Sequence, residues 1–286
     1  MFLLQLNWIW MVLIGTLFMA LTPGLLKMGL QKSNIRVSAA IFATTLLVMT
    51  FIIERINSEL KFDLRIEPLD YLKILGLGIV MCLALYFFLI TLNKATVIQT
   101  IVGLQLVEIT SLIFSIIYSK SLMTNEVIIR TVIILIAVGL MVWSENNDRK
   151  WIIFMILTAM AVTGILIYPI VVPTTVNDSR INLIAVALAT VLVWIVFIVK
   201  QEGKSLKKIT VFNAFFLAIA GALLVLGHVM IGMAVRNGDS KIATSISKLV
   251  LPVAAVLSMA LLNEKMNAKK WIAVILILAA NYYVVL

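Results

Sequence analysis

The chain has 286 residues, 63% of them hydrophobic and 13% charged, with a mean hydropathy of +1.15 and a formal net charge of +10. Globular domains run near ~45–50% apolar and ~25% charged, so this composition is that of an integral membrane protein. It excludes a tethered soluble enzyme, a nucleic-acid module and a periplasmic binding domain.

A bilayer core ~30 Å thick takes ~20 apolar residues per helix, and ten apolar runs follow one another along the chain: Trp8 to Leu26, Val37 to Ile53, Leu72 to Leu92, Val97 to Tyr118, Val127 to Trp143, Trp151 to Val172, Ile181 to Val199, Val211 to Val235, Ile242 to Leu262, and Trp271 to Leu286. Runs of this length predict helices, which satisfy their own backbone hydrogen bonds in lipid. The first run has no basic segment before it and is too long for a signal-peptide core, so it reads as a permanent helix. Trp8, Trp10, Trp143, Trp151 and Trp271 fall at predicted helix ends, as an aromatic belt would. The positive charge is spread over loops beside lipid headgroups, and no nucleic-acid partner is expected. The single cysteine, Cys82, allows no internal disulfide or thiolate cluster; neither a metal nor another cofactor is expected.

A shift of 144 residues lays the second half on the first in the same helix order: Asn93 meets Asn237, Ile98 meets Ile242, Thr100 meets Thr244 and Ile128 meets Ile272. Residues 1–146 and 147–286 then form two repeats within one membrane domain. Five spans per repeat is an odd number, so the copies must lie in the membrane with opposite topology, the plan of many secondary transporters. The expected fold is an all-α integral membrane protein of ten transmembrane helices arranged as two inverted five-helix repeats. Pro23 in the first span and Pro169 in the sixth occupy corresponding helices, and paired interruptions of this kind point to a central site. Each can also simply end its span.

The stretch Lys248-Leu249-Val250-Leu251-Pro252-Val253-Ala254-Ala255, followed by Leu261-Leu262-Asn263-Glu264-Lys265 and an apolar tenth run, resembles the carboxy-terminal signature of the drug/metabolite transporter superfamily, in its ten-helix EamA-like branch. That signature has a proline in the ninth helix and a glutamate closing the turn before the tenth. In the first half Glu108 stands where the proline would be, and Lys120 where the turn glutamate would be. The resemblance implies an alternating-access carrier with a central cavity for a small organic solute such as an amino acid or drug-like compound, and no enzyme.

Of the thirteen acids only Glu108 lies near the middle of a run, where a charge costs ~2.5–3.5 kcal/mol on the translocon scale and usually faces a cavity and a partner. Gln105, Glu108, Ser111 and Ser115 share one helix face, the natural cavity lining. Lys248 is the basic residue read as well inside a span, with Thr244 and Ser247 on its face; every other Lys and Arg, Arg130 included, counts with a loop. Lys248 can reach Glu108 across the repeat axis as a static ion pair, as an anchor for a substrate anion, or as a pair that opens when substrate or a proton arrives. Glu108 is the candidate proton-coupling group. The only histidine, His228, fits a hydrogen-bonded packing role better than a metal site, which needs more ligands. Tyr86 and Tyr168 can offer a ring and a hydroxyl to a solute or can pack against helices and lipid. Pro252 joins Pro23 and Pro169 as a predicted kink.

The expected function is a secondary carrier of a small organic metabolite, with protons as the candidate coupling ion, small-molecule substrate and membrane lipids as partners, and a monomer or homodimer in the plasma membrane. Two alternatives stay open: a translocase for a lipid-linked or phosphorylated solute, and a membrane-embedded enzyme, for which one glutamate and one lysine are a poor catalytic set. Loops after odd-numbered spans hold 13 Lys and Arg and those after even-numbered spans hold 9, which favours outside termini. The family resemblance implies cytoplasmic ones.

Overall fold

The computed structural model describes residues 7–31, 33–57, 68–119, 124–144, 150–171, 178–200, 203–206 and 209–283. Among them there is helix and no strand. The first three spans are Trp8–Leu30, Ile35–Asn57 and Pro68–Lys94. The fourth comes in two pieces, Val97–Leu104 and Leu106–Ser119; the fifth to eighth are Asn125–Trp143, Lys150–Val171, Asp178–Val199 and Val211–Asn237. The ninth is again in two pieces, Ser240–Ser247 and Val250–Leu262, and the tenth is described over Ala268–Tyr283. Nine of these described spans are long and apolar enough to cross a membrane; the tenth is described over 16 residues and lies along the fifth. The chain is a multi-pass membrane protein.

Helix starts follow local chemistry. Thr96 caps the fourth span and Gln99 returns the bond, Thr96 N donating to Gln99 Oε1 at 2.9 Å and Gln99 N to Thr96 Oγ1 at 3.2 Å, a capping box. Asp239 caps the ninth by accepting from the amides of Lys241 and Ile242 at 2.9 and 3.1 Å. The fourth and ninth spans thus both begin on side-chain caps.

Neither half closes on itself. The first span packs along the eighth and the ninth, and the third along the sixth; the fourth touches the sixth, the second meets the seventh and eighth, the third meets the seventh, and the fifth lies along the tenth. Replacing every span by the one five places away leaves the partnerships just named unchanged, while smaller contacts, such as those of the fourth span with the first and the tenth, are not matched in this way. In lipid the helices gain nothing from hydrophobic burial against one another, so small residues decide which backbones approach. A Cβ on Gly15 would sit 3.0 Å from the Gly227 carbonyl, which fixes the close crossing of the first and eighth spans. Polar ties complete the second–seventh contact: Thr190 Oγ1 donates to Ala43 O at 3.1 Å and Trp194 Nε1 to Thr44 Oγ1 at 3.0 Å.

Two sequence expectations change. Trp151 is buried and packs with Ala95 and Met155, so it belongs to the core and not to an interfacial belt; Trp10 and Trp143 are exposed at their helix ends, as a belt requires. The helix Trp8–Leu30 runs unbroken through buried Pro23. The interruptions fall in the fourth and ninth spans instead. Pro169 lies within the sixth helix, with its side chain outside the described residues, as is Lys120.

Candidate functional site

The two interruptions are related by the same 144-residue shift, which carries Gln105 onto Leu249. In the ninth span Pro252 supplies the cause, because it has no amide hydrogen and its ring crowds the carbonyl four residues back, that of Lys248. The helix stops at Ser247 and resumes at Val250, and the turn between tightens, Leu249 N donating to Ile246 O at 3.0 Å. The fourth span has no proline, yet it tightens alike: Gln105 N donates to Val102 O and Glu108 N to Gln105 O, both at 3.1 Å.

Charged side chains gather at these breaks. Lys248 Nζ donates to Glu108 Oε1 at 3.4 Å, joining the ninth span to the fourth. The closer partner is Arg130 of the fifth span, whose Nη2 lies 2.5 Å from Glu108 Oε2 and also donates to Asn281 Oδ1 of the tenth at 3.1 Å. In the sequence Arg130 reads as a loop residue because it stands only four residues into the fifth apolar run; the helix begins earlier, at Asn125, and carries it inward. Its signal in the sequence was its spacing, one helical turn past Glu126, within an otherwise apolar stretch. Glu126 itself is exposed and makes no pair with it. The cluster is incompletely satisfied: Glu108 Oε2, Arg130 Nε and Gln105 Oε1 are buried and have no hydrogen-bond partner. The 2.5 Å contact is therefore a charge pairing, not aligned as a hydrogen bond.

Beside the cluster lies a cavity of about 300 Å³ between the fourth and fifth spans, lined by Glu108, Ser111, Ser115, Arg130 and Thr131 together with aliphatic side chains. That volume is at the lower end of small-molecule pockets, ~300–1,000 Å³. The polar stripe Glu108, Ser111 and Ser115 thus faces one cavity; Gln105 stays at the break. The ninth span reaches this cavity through the Lys248–Glu108 contact alone.

The other face of the fourth span borders a larger groove of about 540 Å³ against the sixth, apolar in character and lined by Ile113, Phe114, Ile117, Met160 and Tyr168. Tyr168 turns its ring to this groove and donates its hydroxyl to the Lys73 carbonyl, so the hydroxyl is committed to the third span. Tyr86 packs against the main core. Ser247 Oγ donates to Thr244 O at 2.7 Å, within its own helix, and Thr244 is exposed. His228 is exposed and the hydrogen bond expected of it is not made among the described residues. No group of His, Cys, Asp and Glu able to hold a metal occurs among the described residues.

A second ionic junction sits at the start of the fourth span. Asn263, in the left-handed conformation at φ 52°, ends the ninth span and turns the chain so that Glu264 accepts from the Val97 amide at 2.9 and 3.0 Å. Lys27 Nζ pairs with Glu264 Oε1 at 3.1 Å and also donates to the Ala95 carbonyl. The turn glutamate is thus a second cap on the fourth span.

Broken helices, a polar cavity and charges in the membrane interior are features that membrane transporters of small solutes share, and the family comparison suggests the same class. The model of the EamA-like transporter family, one of the drug/metabolite transporter families, matches residues 149–286, the second half of the chain. No curated protein matches the chain.

Proposed function

We propose that the protein is an alternating-access secondary carrier of a small organic solute in the plasma membrane, built as two inverted repeats, residues 1–146 and 147–286. The observation that carries this reading is the pair of breaks at Gln105 and Lys248-Leu249, at repeat-related positions, with Glu108, Arg130 and Lys248 meeting between them. The exchange symmetry of the helix partnerships supports it, since two states related by exchanging the halves are what an inverted repeat provides. Solute binds in the cavity beside Glu108, with Ser111 and Thr131 as hydrogen-bonding groups. Pro23 and Pro169 contribute to the bending of their helices as the halves rock.

Glu108 is the proton-coupling residue in this reading. Its facing charges are Arg130 and Lys248, from the fifth and ninth spans, and a carboxylate that loses them when the halves rock takes up a proton, then releases it when they return. Purified protein reconstituted in vesicles tests both parts. Radiolabelled solute should exchange by counterflow and accumulate under an imposed pH gradient; Glu108→Gln should keep counterflow and lose accumulation. Equal accumulation by the variant and the parent returns Glu108 to a structural role.

The apolar groove between the fourth and sixth spans favours one second reading, a translocase whose lipid-linked substrate lays its chain there. Under that reading, counterflow requires the lipid-linked form and fails for its water-soluble headgroup.

A further inference from the structure

The charges at the breaks do not balance. Arg130 and Lys248 both address one carboxylate, that of Glu108, and no other acid among the described residues is paired with either. Glu126, a turn before Arg130, is exposed, and Asp239, at the start of the ninth span, is spent on the amides of Lys241 and Ile242. One positive charge is left over where the membrane makes it expensive. Arg130 also holds a donor in reserve: its Nε is buried without a partner, although a guanidinium presents five N–H groups in a fork matched to oxyanions. The same guanidinium and Ser111 line the cavity, so an anion entering there meets a cation and a hydroxyl together, while the Thr131 hydroxyl beside them is donated to the Val127 carbonyl at 2.8 Å.

We infer that Arg130 and Lys248 form an anion-binding site, and that the carried solute bears a carboxylate or phosphate group that takes the place held by Glu108. This rests on the carrier reading and adds the class of its substrate. Glu108 is then an internal stand-in for the substrate's oxyanion: it neutralises one of the two cations when the cavity is empty and yields when the solute arrives. The orphaned Oε2 and Nε fit such a substitute, which supplies charge without the bidentate alignment a free oxyanion adopts. A solute with one anionic group brings the cluster of two cations and Glu108 to neutrality.

The test removes the stand-in. Full-length Glu108→Ala in detergent at pH 7.5 is titrated with sodium acetate, ionic strength being held constant with chloride. Acetate should raise its Tm with the logarithm of concentration above the Kd, by about 3–5 °C at ten times the Kd; the parent should shift far less, acetamide should do nothing, and Arg130→Gln added to Glu108→Ala should abolish the effect. Glu108→Gln serves if the alanine variant does not fold. Equal acetate shifts in parent and variant, or shifts that survive loss of Arg130, overturn the inference. Counterflow of succinate and 3-phosphoglycerate against succinamide and glycerol separates the two levels. Exchange of the neutral solutes with no acetate rescue leaves a carrier and removes the anion site. Acetate rescue with no exchange of any of the four retains the anion site and counts against the carrier.

Discussion

Two ionic clusters in this molecule use nearly the same parts to opposite ends. At the start of the fourth span one lysine meets one glutamate, charges cancel, and hydrogen bonds fill the remaining positions: Glu264 takes the Val97 amide as well as Lys27, and Lys27 takes the Ala95 carbonyl. At the break in the same span, two cations share one carboxylate and buried polar atoms go unbonded. Burial differs too. The Glu264 side chain is 8% exposed, whereas Glu108 is 28% exposed and borders a cavity. A balanced, saturated cluster fastens helices; an unbalanced, unsaturated one beside space is available to a ligand.

Substitutions that exchange these properties put the contrast at risk. The largest effect is expected at the inner cluster: Arg130→Gln should reduce counterflow by about two orders of magnitude, as loss of one member of a desolvated charge pair does, with only a small change in detergent Tm. A variant that transports normally would make the cluster a fastener like the other. At the outer cluster the result should reverse. Glu264→Ala removes a cap and one partner of a mostly buried pair, costing about 2–3 kcal/mol; thermal unfolding and the yield of folded protein should fall while the remaining folded fraction binds solute unchanged.

Pro252→Ala should let the ninth span regain its missing hydrogen bond, draw Lys248 into regular helix and slow exchange about tenfold, read as a counterflow rate at unchanged folding yield. The smallest effect is expected from Pro23→Ala and Pro169→Ala, a few-fold loss of rate exceeding any loss of yield, because the helix around Pro23 is continuous. If Pro23→Ala instead matches or exceeds Pro252→Ala, motion centres on the first span and not on the breaks.

The candidate site was half legible in the sequence. Glu108 stood out because an acid amid an apolar run has so high a cost that it announces a partner, and Lys248 for the same reason. Arg130 did not, since a charge near the edge of an apolar run reads equally as a loop residue, and a shift of two residues in the helix start decides the matter. The prolines misled in part: Pro252 coincides with a break, but Pro23 sits inside an intact helix, and the fourth span breaks with no proline at all. Proline content tells where a hydrogen bond is missing, whereas neighbouring helices determine whether the chain opens there.

By itself the sequence determined the membrane class and the spans, because each helix must satisfy its own backbone in lipid and composition records that requirement residue by residue. The family signature around Pro252 and Glu264 was equally local. Only the tertiary structure decided which spans touch, that Glu264 caps a helix 167 residues away in the chain, and that Arg130 rather than Lys248 lies nearest Glu108. Long spans such as Trp8–Leu30, Pro68–Lys94 and Val211–Asn237 are apolar nearly all round, so hydropathy gives them no address. Partner choice comes instead from close backbone crossings such as that of Gly15 and Gly227 and from single polar contacts between distant segments, and these exist only once the helices have packed.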